Sequence, residues 1–173
     1  MMLLADLRAK QRLYSQYGPP CSLWRAILTD GTLATAMYRA QHFLMRSRLE
    51  PLALLMHLLN KWLNGCVIGV RASFGPGFIL IHPIGVVINS SVRGGANVWV
   101  ESGVVIGDNR GASPHLDDDI FIGSGAKIIG GVRVHSGARV GANAVVLHDV
   151  APNTTVIGIP ARPQSRRDES VPH

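Results

Sequence analysis

The sequence predicts a mainly β protein, a parallel solenoid of short strands with an α-helical cap at its N-terminal end. Three observations carry this reading. Apolar residues recur every six positions from Ile68 onward; before Gly65 the only glycines are Gly18 and Gly31, both at breaks; and 19 glycines stand against 4 Phe, 3 Tyr and 3 Trp, a balance that suits many turns around a core of small aliphatic side chains.

The cap is expected over residues 1–65. One helix runs from about Leu3 to Tyr17 and stops at Gly18-Pro19-Pro20; a short one covers Ser22 to Leu28; a third follows Gly31 from Thr32 to Arg48; and Pro51, suited to a first helical turn, opens a fourth that reaches about Leu63. In the fourth, Leu52, Leu55, Met56, Leu59 and Leu63 recur at three- and four-residue steps and form an apolar face. Core or subunit packing is expected of that face, because it carries too few basic residues for a membrane-surface helix.

From Cys66 the texture changes. Steps of six give Ile68, Phe74, Leu80, Val86, Val92, Val98 and Val104, then in the same phase Ile122, Ile128, Val134, Val140 and Val146. Small residues recur four positions on, at Ala72, Ser90, Ala96, Ser102, Ala126, Ala138 and Ala144. This period fits neither an α-helix, whose face repeats near 3.6, nor a simple two-faced strand. It fits a triangular coil of three six-residue units, in which each inward residue stacks on the one about 18 positions later. The solenoid is expected over 66–163. A polar excursion over 107–119 interrupts it, and the polar residues 164–173 read as a disordered tail.

Composition sets the outer bounds. A chain of 173 residues and 18.6 kDa holds one compact domain with a small extension, not two enzymes in tandem. With 47% hydrophobic and 16% charged residues it is not a disordered chain. The net charge of +6 favours anionic partners. Cys21 and Cys66 form no CxxC pair, the start lacks the pattern of a signal peptide, and Pro51 to Leu63 is too short to span a bilayer, so a cytoplasmic protein is expected. Nucleic-acid binding is disfavoured, since basic and aromatic residues do not alternate in the repeat.

Among seven histidines none has zincin spacing, and no metal is expected. His42 and His57 fall on helices, and His135 and His148 at solvated turns. His82 lies in the apolar run FILIHPIGVVIN, where a structural residue and a catalytic one both remain open, and His115 lies in the polar excursion.

HPIGVVIN, the loop ending in PH, the run from IGSGAKIIGG to TTVIGIPAR, and MYRAQHFLMRSR ahead of the repeat together resemble the serine acetyltransferase group of hexapeptide-repeat acyltransferases. The resemblance covers roughly residues 33–163, and the NRGA…PH loop with the VVIN ending is closest to exopolysaccharide O-acetyltransferases of the colanic acid type. It implies a left-handed parallel β-helix, a homotrimer, and acetyl transfer from acetyl-CoA to an alcohol. In that light His82 is the general base and His115 the second active-site histidine, which meets the acceptor. An imidazole, with an ordinary pKa of about 6.5, is suited to take the hydroxyl proton as the oxygen attacks the thioester, a contribution of roughly 10²- to 10⁴-fold. The resemblance further implies that Gly107, Ser124 and Ala142 are small positions along the pantetheine, with Lys127, Pro160 and Arg162 near the nucleotide.

The departures bear on the acceptor. Where the serine enzymes carry an Asp before the base, an earlier orienting Asp, and an Arg before the second histidine, this chain has Ile81, Val67 and Pro114. Zwitterionic serine would be desolvated there without compensation, so a sugar hydroxyl, as in exopolysaccharide or capsule synthesis, is the preferred acceptor. Serine O-acetylation and a non-catalytic binding β-helix are the alternatives. Glu101 and Arg110 are the candidate acceptor residues; Glu101, a backbone carbonyl or water could orient His82, and Asp117, Asp118 and Asp119 could also supply a carboxylate, though a solvated acidic loop is the preferred reading. An anionic membrane surface or a lipid-linked substrate stays open as a partner for the basic residues of the cap.

Overall fold

The structure is a computed structural model that describes residues 2–164; of the tail expected over 164–173, residues 165–173 lie outside the described residues. Helix α1 (Met2–Tyr17) ends at Gly18-Pro19-Pro20, as proline demands. Helix α2 (Leu23–Leu28) is capped by Ser22, whose hydroxyl accepts the Arg25 N–H at 3.3 Å. Helix α3 (Thr32–Arg46) stops two residues before the expected end, and α4 (Glu50–Asn64) carries Pro51 in its first turn and ends at Gly65, φ 62°. Among the described residues no helix is long and apolar enough to cross a membrane.

The coils follow in chain order. The first holds β1 (Val67–Ile68), β2 (Ser73–Phe74) and β3 (Ile79–Leu80), and the second β4 (Val87–Ile88), β5 (Arg93–Gly94) and β6 (Trp99–Val100). The third holds β7 (Val105–Gly107), β8 (His115–Leu116) and β9 (Phe121–Ile122), and the fourth β10 (Lys127–Ile129), β11 (Arg133–Val134) and β12 (Arg139–Val140). β13 (Val145–Val146), β14 (Thr155–Ile157) and β15 (Arg162–Pro163) close the stack. Corresponding strands pair in parallel into three sheets, β1-β4-β7-β10-β13, β2-β5-β8-β11 and β3-β6-β9-β12-β14, and β15 returns antiparallel to β14. The result is a triangular parallel β-helix.

All twelve residues of the six-step series are buried, none more than 3% exposed. Their register differs from a uniform 18-residue stack. Val67 pairs with Val87 and Ile79 with Trp99, steps of 20 residues, because the corner at His82 holds two extra residues. Arg93 pairs with His115, a step of 22, because the chain leaves the coil between β7 and β8. After the first insertion Val86, Val92, Val98 and Val104 therefore sit just before the strands, and Ile88, Val100 and Ile106 take the inward strand positions. The two insertions together make one whole unit, which is why the series returns in phase at Ile122.

The excursion is also shorter than 107–119. Gly107 belongs to β7, while His115 and Leu116 form β8, with Leu116 fully buried. The three acids beyond it are not merely solvated. Asp118 Oδ1 accepts the Ala96 N–H at 2.7 Å and Asp119 Oδ1 accepts from Asn97 Nδ2 at 2.8 Å, so both tie the third coil to the second.

The cap docks through buried polar groups. Arg39 of α3 pairs with Asp6 of α1 at 2.7 Å and donates to the carbonyls of Phe74 and Gly75, while Asp6 Oδ1 accepts the N–H groups of Gly77 and Phe78. Every charge in this network has partners, the condition under which burying an ion pair is tolerable. The Tyr38 hydroxyl donates to the Ala72 carbonyl at 3.2 Å and accepts the Phe74 N–H at 3.0 Å. Helix α4 buries Ala53 and Asn60, whose Nδ2 donates to the Ala34 carbonyl, because small and hydrogen-bonding residues allow close approach to α3; of the expected core or subunit packing of its leucine face, the single chain shows no core packing. Leu52, Leu55, Leu59 and Leu63 of its apolar face are consequently exposed in the single chain.

Candidate active site

His82 follows β3 at the edge where the third sheet passes to the first, inside the corner that carries two extra residues. Its side chain is 52% exposed, and its Nδ1 lies 3.3 Å from Asp30 Oδ2. Asp30 comes from the loop between α2 and α3. That loop lies directly on the strand: Gly31 has φ 76°, and a Cβ there would overlap the Leu80 carbonyl oxygen, so only glycine allows the approach. Lys10 of α1 holds the loop from behind, donating from Nζ to the Asp30 carbonyl and, at 2.8 Å, to Thr32 Oγ1. Burial pushes the Lys10 ammonium down to about 8, against the opposing pull of Asp30 and Cys21. A carboxylate on Nδ1 places the proton of a neutral imidazole there and leaves Nε2 as the basic nitrogen. The surrounding recess, about 650 Å³, is walled by Leu28, Leu33, Asn64 and Ile84.

Asp30 was not legible as a site residue; its one sequence signal is the Asp-Gly turn, which says nothing of a histidine 52 residues later. Glu101, by contrast, makes no hydrogen bond or ion pair with His82 among the described residues. The 20-residue step of the first coil sets Glu101 level with Ile81, and its side chain lines a separate groove beside α1.

The expected cofactor residues divide by edge. Backbone hydrogen bonds from Gly103 N to Ile84 O, Gly125 N to Ser102 O and Asn143 N to Ser124 O stack the corners below His82, so Ser124 and Ala142 lie on the His82 edge and Lys127 just past it. Ala161 N bonds the Val145 carbonyl, which brings Pro160 and Arg162 to the same edge at the far end. Gly107 ends β7 on the next edge, against Ile129. Arg110 is exposed in the loop between β7 and β8 and lines neither the His82 recess nor the Glu101 groove.

His115 opens β8 on the second sheet, so one chain does not bring it to His82. Its Nε2 lies 3.4 Å from Asp117 Oδ1; the same carboxylate takes His135 Nδ1 at 3.2 Å and Arg133 Nη2 at 3.0 Å. His135 is thus an ion-pairing residue rather than a free turn histidine, because residues 117 and 135 are level in adjacent coils. Burial raises the Asp117 carboxyl, but the hydrogen bond and charge of Arg133, with His135 and His115, outweigh it and hold the group below the usual range. Among the described residues no group of His, Cys, Asp and Glu is arranged to hold a metal ion.

A carboxylate-held, half-exposed histidine at the corner of a six-residue β-helix, below a helical cap, defines a class: the hexapeptide-repeat acyltransferases. The comparisons narrow it. No family model matches the chain. It is 36% identical over 146 residues to the serine acetyltransferase of Bacillus subtilis (strain 168), covering 82% of this chain and 67% of that one. It superposes on soybean serine acetyltransferase complexed with serine with a TM-score of 0.83 at 34% identity, over 94% of this chain and 68% of the other. A serine acetyltransferase in complex with CoA gives 0.84 at 28% identity, over 94% and 68%. The chain belongs to the serine acetyltransferase family. It spans 56% to 63% of three further bacterial serine acetyltransferases. The expected exopolysaccharide subtype finds no support among these relatives.

Proposed function

We propose that this chain is an acetyl-CoA-dependent O-acetyltransferase with His82 as its general base and L-serine as the acceptor that its relatives favour. The observation that carries the reading is the Asp30 contact at His82 Nδ1, which leaves Nε2 without a hydrogen-bond partner among the described residues. His82 takes the proton of the acceptor hydroxyl as that oxygen bonds to the acetyl carbonyl carbon. It then returns the proton to the departing thiolate as the C–S bond breaks, giving the O-acetyl ester and free CoA. Asp30 orients the imidazole and offsets its transient charge, in place of the carboxylates that serine enzymes carry where Val67 and Ile81 stand here. Lys127 and Arg162, exposed along the His82 edge, supply positive charge for the CoA phosphates, and Ser124 and Ala142 leave room for the pantetheine. A trimer supplies His115 from a neighbouring chain.

A second acceptor reading, a sugar hydroxyl, is favoured by Val67, Ile81 and Pro114, which offer serine's ammonium and carboxylate no partners. The test is release of free CoA from acetyl-CoA with L-serine and with neutral sugars, for wild type, His82→Ala and Asp30→Ala. Serine-dependent release lowered at least about 10² by His82→Ala is expected. Release with sugars and none with serine moves the acceptor to the second reading, and no release with any alcohol sinks the enzymatic one.

A further inference from the structure

Beside Ile81 a groove of about 570 Å³ separates α1 and α2 from the third sheet. Its floor is a lateral ladder: Trp99, Phe121 and Arg139 are in register on β6, β9 and β12, and the Arg139 guanidinium lies 4.6 Å from the Phe121 ring centre. Tyr14 and Tyr17 of α1 form the facing wall, with Arg25 of α2 at the rim. Two polar groups in it are unspent. Among the described residues the half-buried Glu101 makes no ion pair or side-chain hydrogen bond, and Trp99 Nε1, shielded from water, has no acceptor. Ile81, the residue before His82, lines the groove, which shares no lining residue with the His82 recess.

We propose that this groove is a carbohydrate subsite, seating a pyranose ring of a glycan acceptor beside Ile81, the residue before His82. The inference rests on the second acceptor reading given above. A pyranose has an apolar C–H face and a belt of hydroxyls that both donate and accept. The face suits the Trp99 and Phe121 floor, while Glu101 accepts from hydroxyls and Arg139, Arg25 and Trp99 Nε1 donate to them. The volume lies within the roughly 300–1,000 Å³ of sites that enclose drug-sized ligands, whereas serine would leave most of it to water.

Isothermal titration of the full chain with glucose, N-acetylglucosamine and cellobiose, without acetyl-CoA, tests this. Saturable binding is expected, weakened at least tenfold by Glu101→Gln and by Trp99→Phe, which keeps a ring and removes the donor. Wild-type sugar affinity in both variants overturns the subsite, as does the absence of sugar binding, or weakened CoA affinity in the variants with sugar affinity unchanged. CoA release is scored separately: serine turnover without sugar binding removes the subsite and leaves the acetyltransferase, and sugar binding without turnover does the reverse.

Discussion

At the scale of residues, the contact between Asp30 and His82 depends on a glycine. Gly31 lets the loop between α2 and α3 lie on the Leu80 carbonyl, and that contact sets Asp30 against His82. A Cβ at 31 meets backbone on a strand that cannot yield, at a φ that costs an L-residue roughly 1–2 kcal/mol by itself. Gly31→Ala should therefore lower both the melting temperature and turnover, the latter by more than about tenfold; wild-type values of both would mean that the loop does not set the site. Asp30→Ala should lower kcat about tenfold with little change in KM, since it acts on the base rather than the acceptor, and Asp30→Glu should recover part of the loss. An equal loss in both Asp30 variants, shared with KM, would make Asp30 a binding residue instead. His82 could be picked out because it is the one histidine inside an apolar run that also matches a family motif. Asp30 could not, because its role is created by tertiary approach of two segments far apart in the chain.

At the scale of elements, the six-residue period was legible because every coil must place an apolar residue inward. The corner insertions were not, because two and four extra residues restore the phase and leave every sampled position apolar. The same masking set Glu101 level with Ile81 rather than His82. Part of what joins cap to coil is polar and invisible to periodicity: Tyr38 of α3, buried against Phe74 and Phe78, serves the backbone of Ala72 and Phe74. Burial pushes its hydroxyl up to about 12 and the Cys66 thiol up to about 11. Both groups bind their protons more tightly folded than unfolded, where they ionise near 10 and 9 respectively. Their stabilisation is whole below those values and is lost as pH rises through about 12 and 11. Lys10, pushed down to about 8, acts in the opposite sense and adds stability between about 8 and 10.5. Chemical denaturation across pH 10–12 should show wild type losing stability more steeply than Tyr38→Phe, which at pH 7 should already be about 1–3 kcal/mol weaker for want of an acceptor for the Phe74 N–H. Parallel pH profiles would show that Tyr38 is not what fails in alkali.

At the scale of the whole molecule, two features of the single chain bear on the proposed trimer. His82 and His115 lie on different faces of the prism, and the Leu52, Leu55, Leu59 and Leu63 face of α4 is open. The proposed cyclic trimer repeats one heterologous interface three times and would pair His82 of one chain with His115 of the next. That arrangement has a signature a self-contained monomer lacks. His82→Ala and His115→Ala, each prepared alone, should release little CoA. When the two are unfolded together and refolded at equal amounts, a site needs its His82 from one parent and its His115 from the other, and random mixing gives that pairing at about one interface in four. Roughly a quarter of wild-type activity should return, carried by a species of trimer mass in light scattering, while a simple blend of the two preformed proteins stays inactive. No recovery in verified mixed trimers would place both histidines' work within one chain, or leave His115 without a role in turnover.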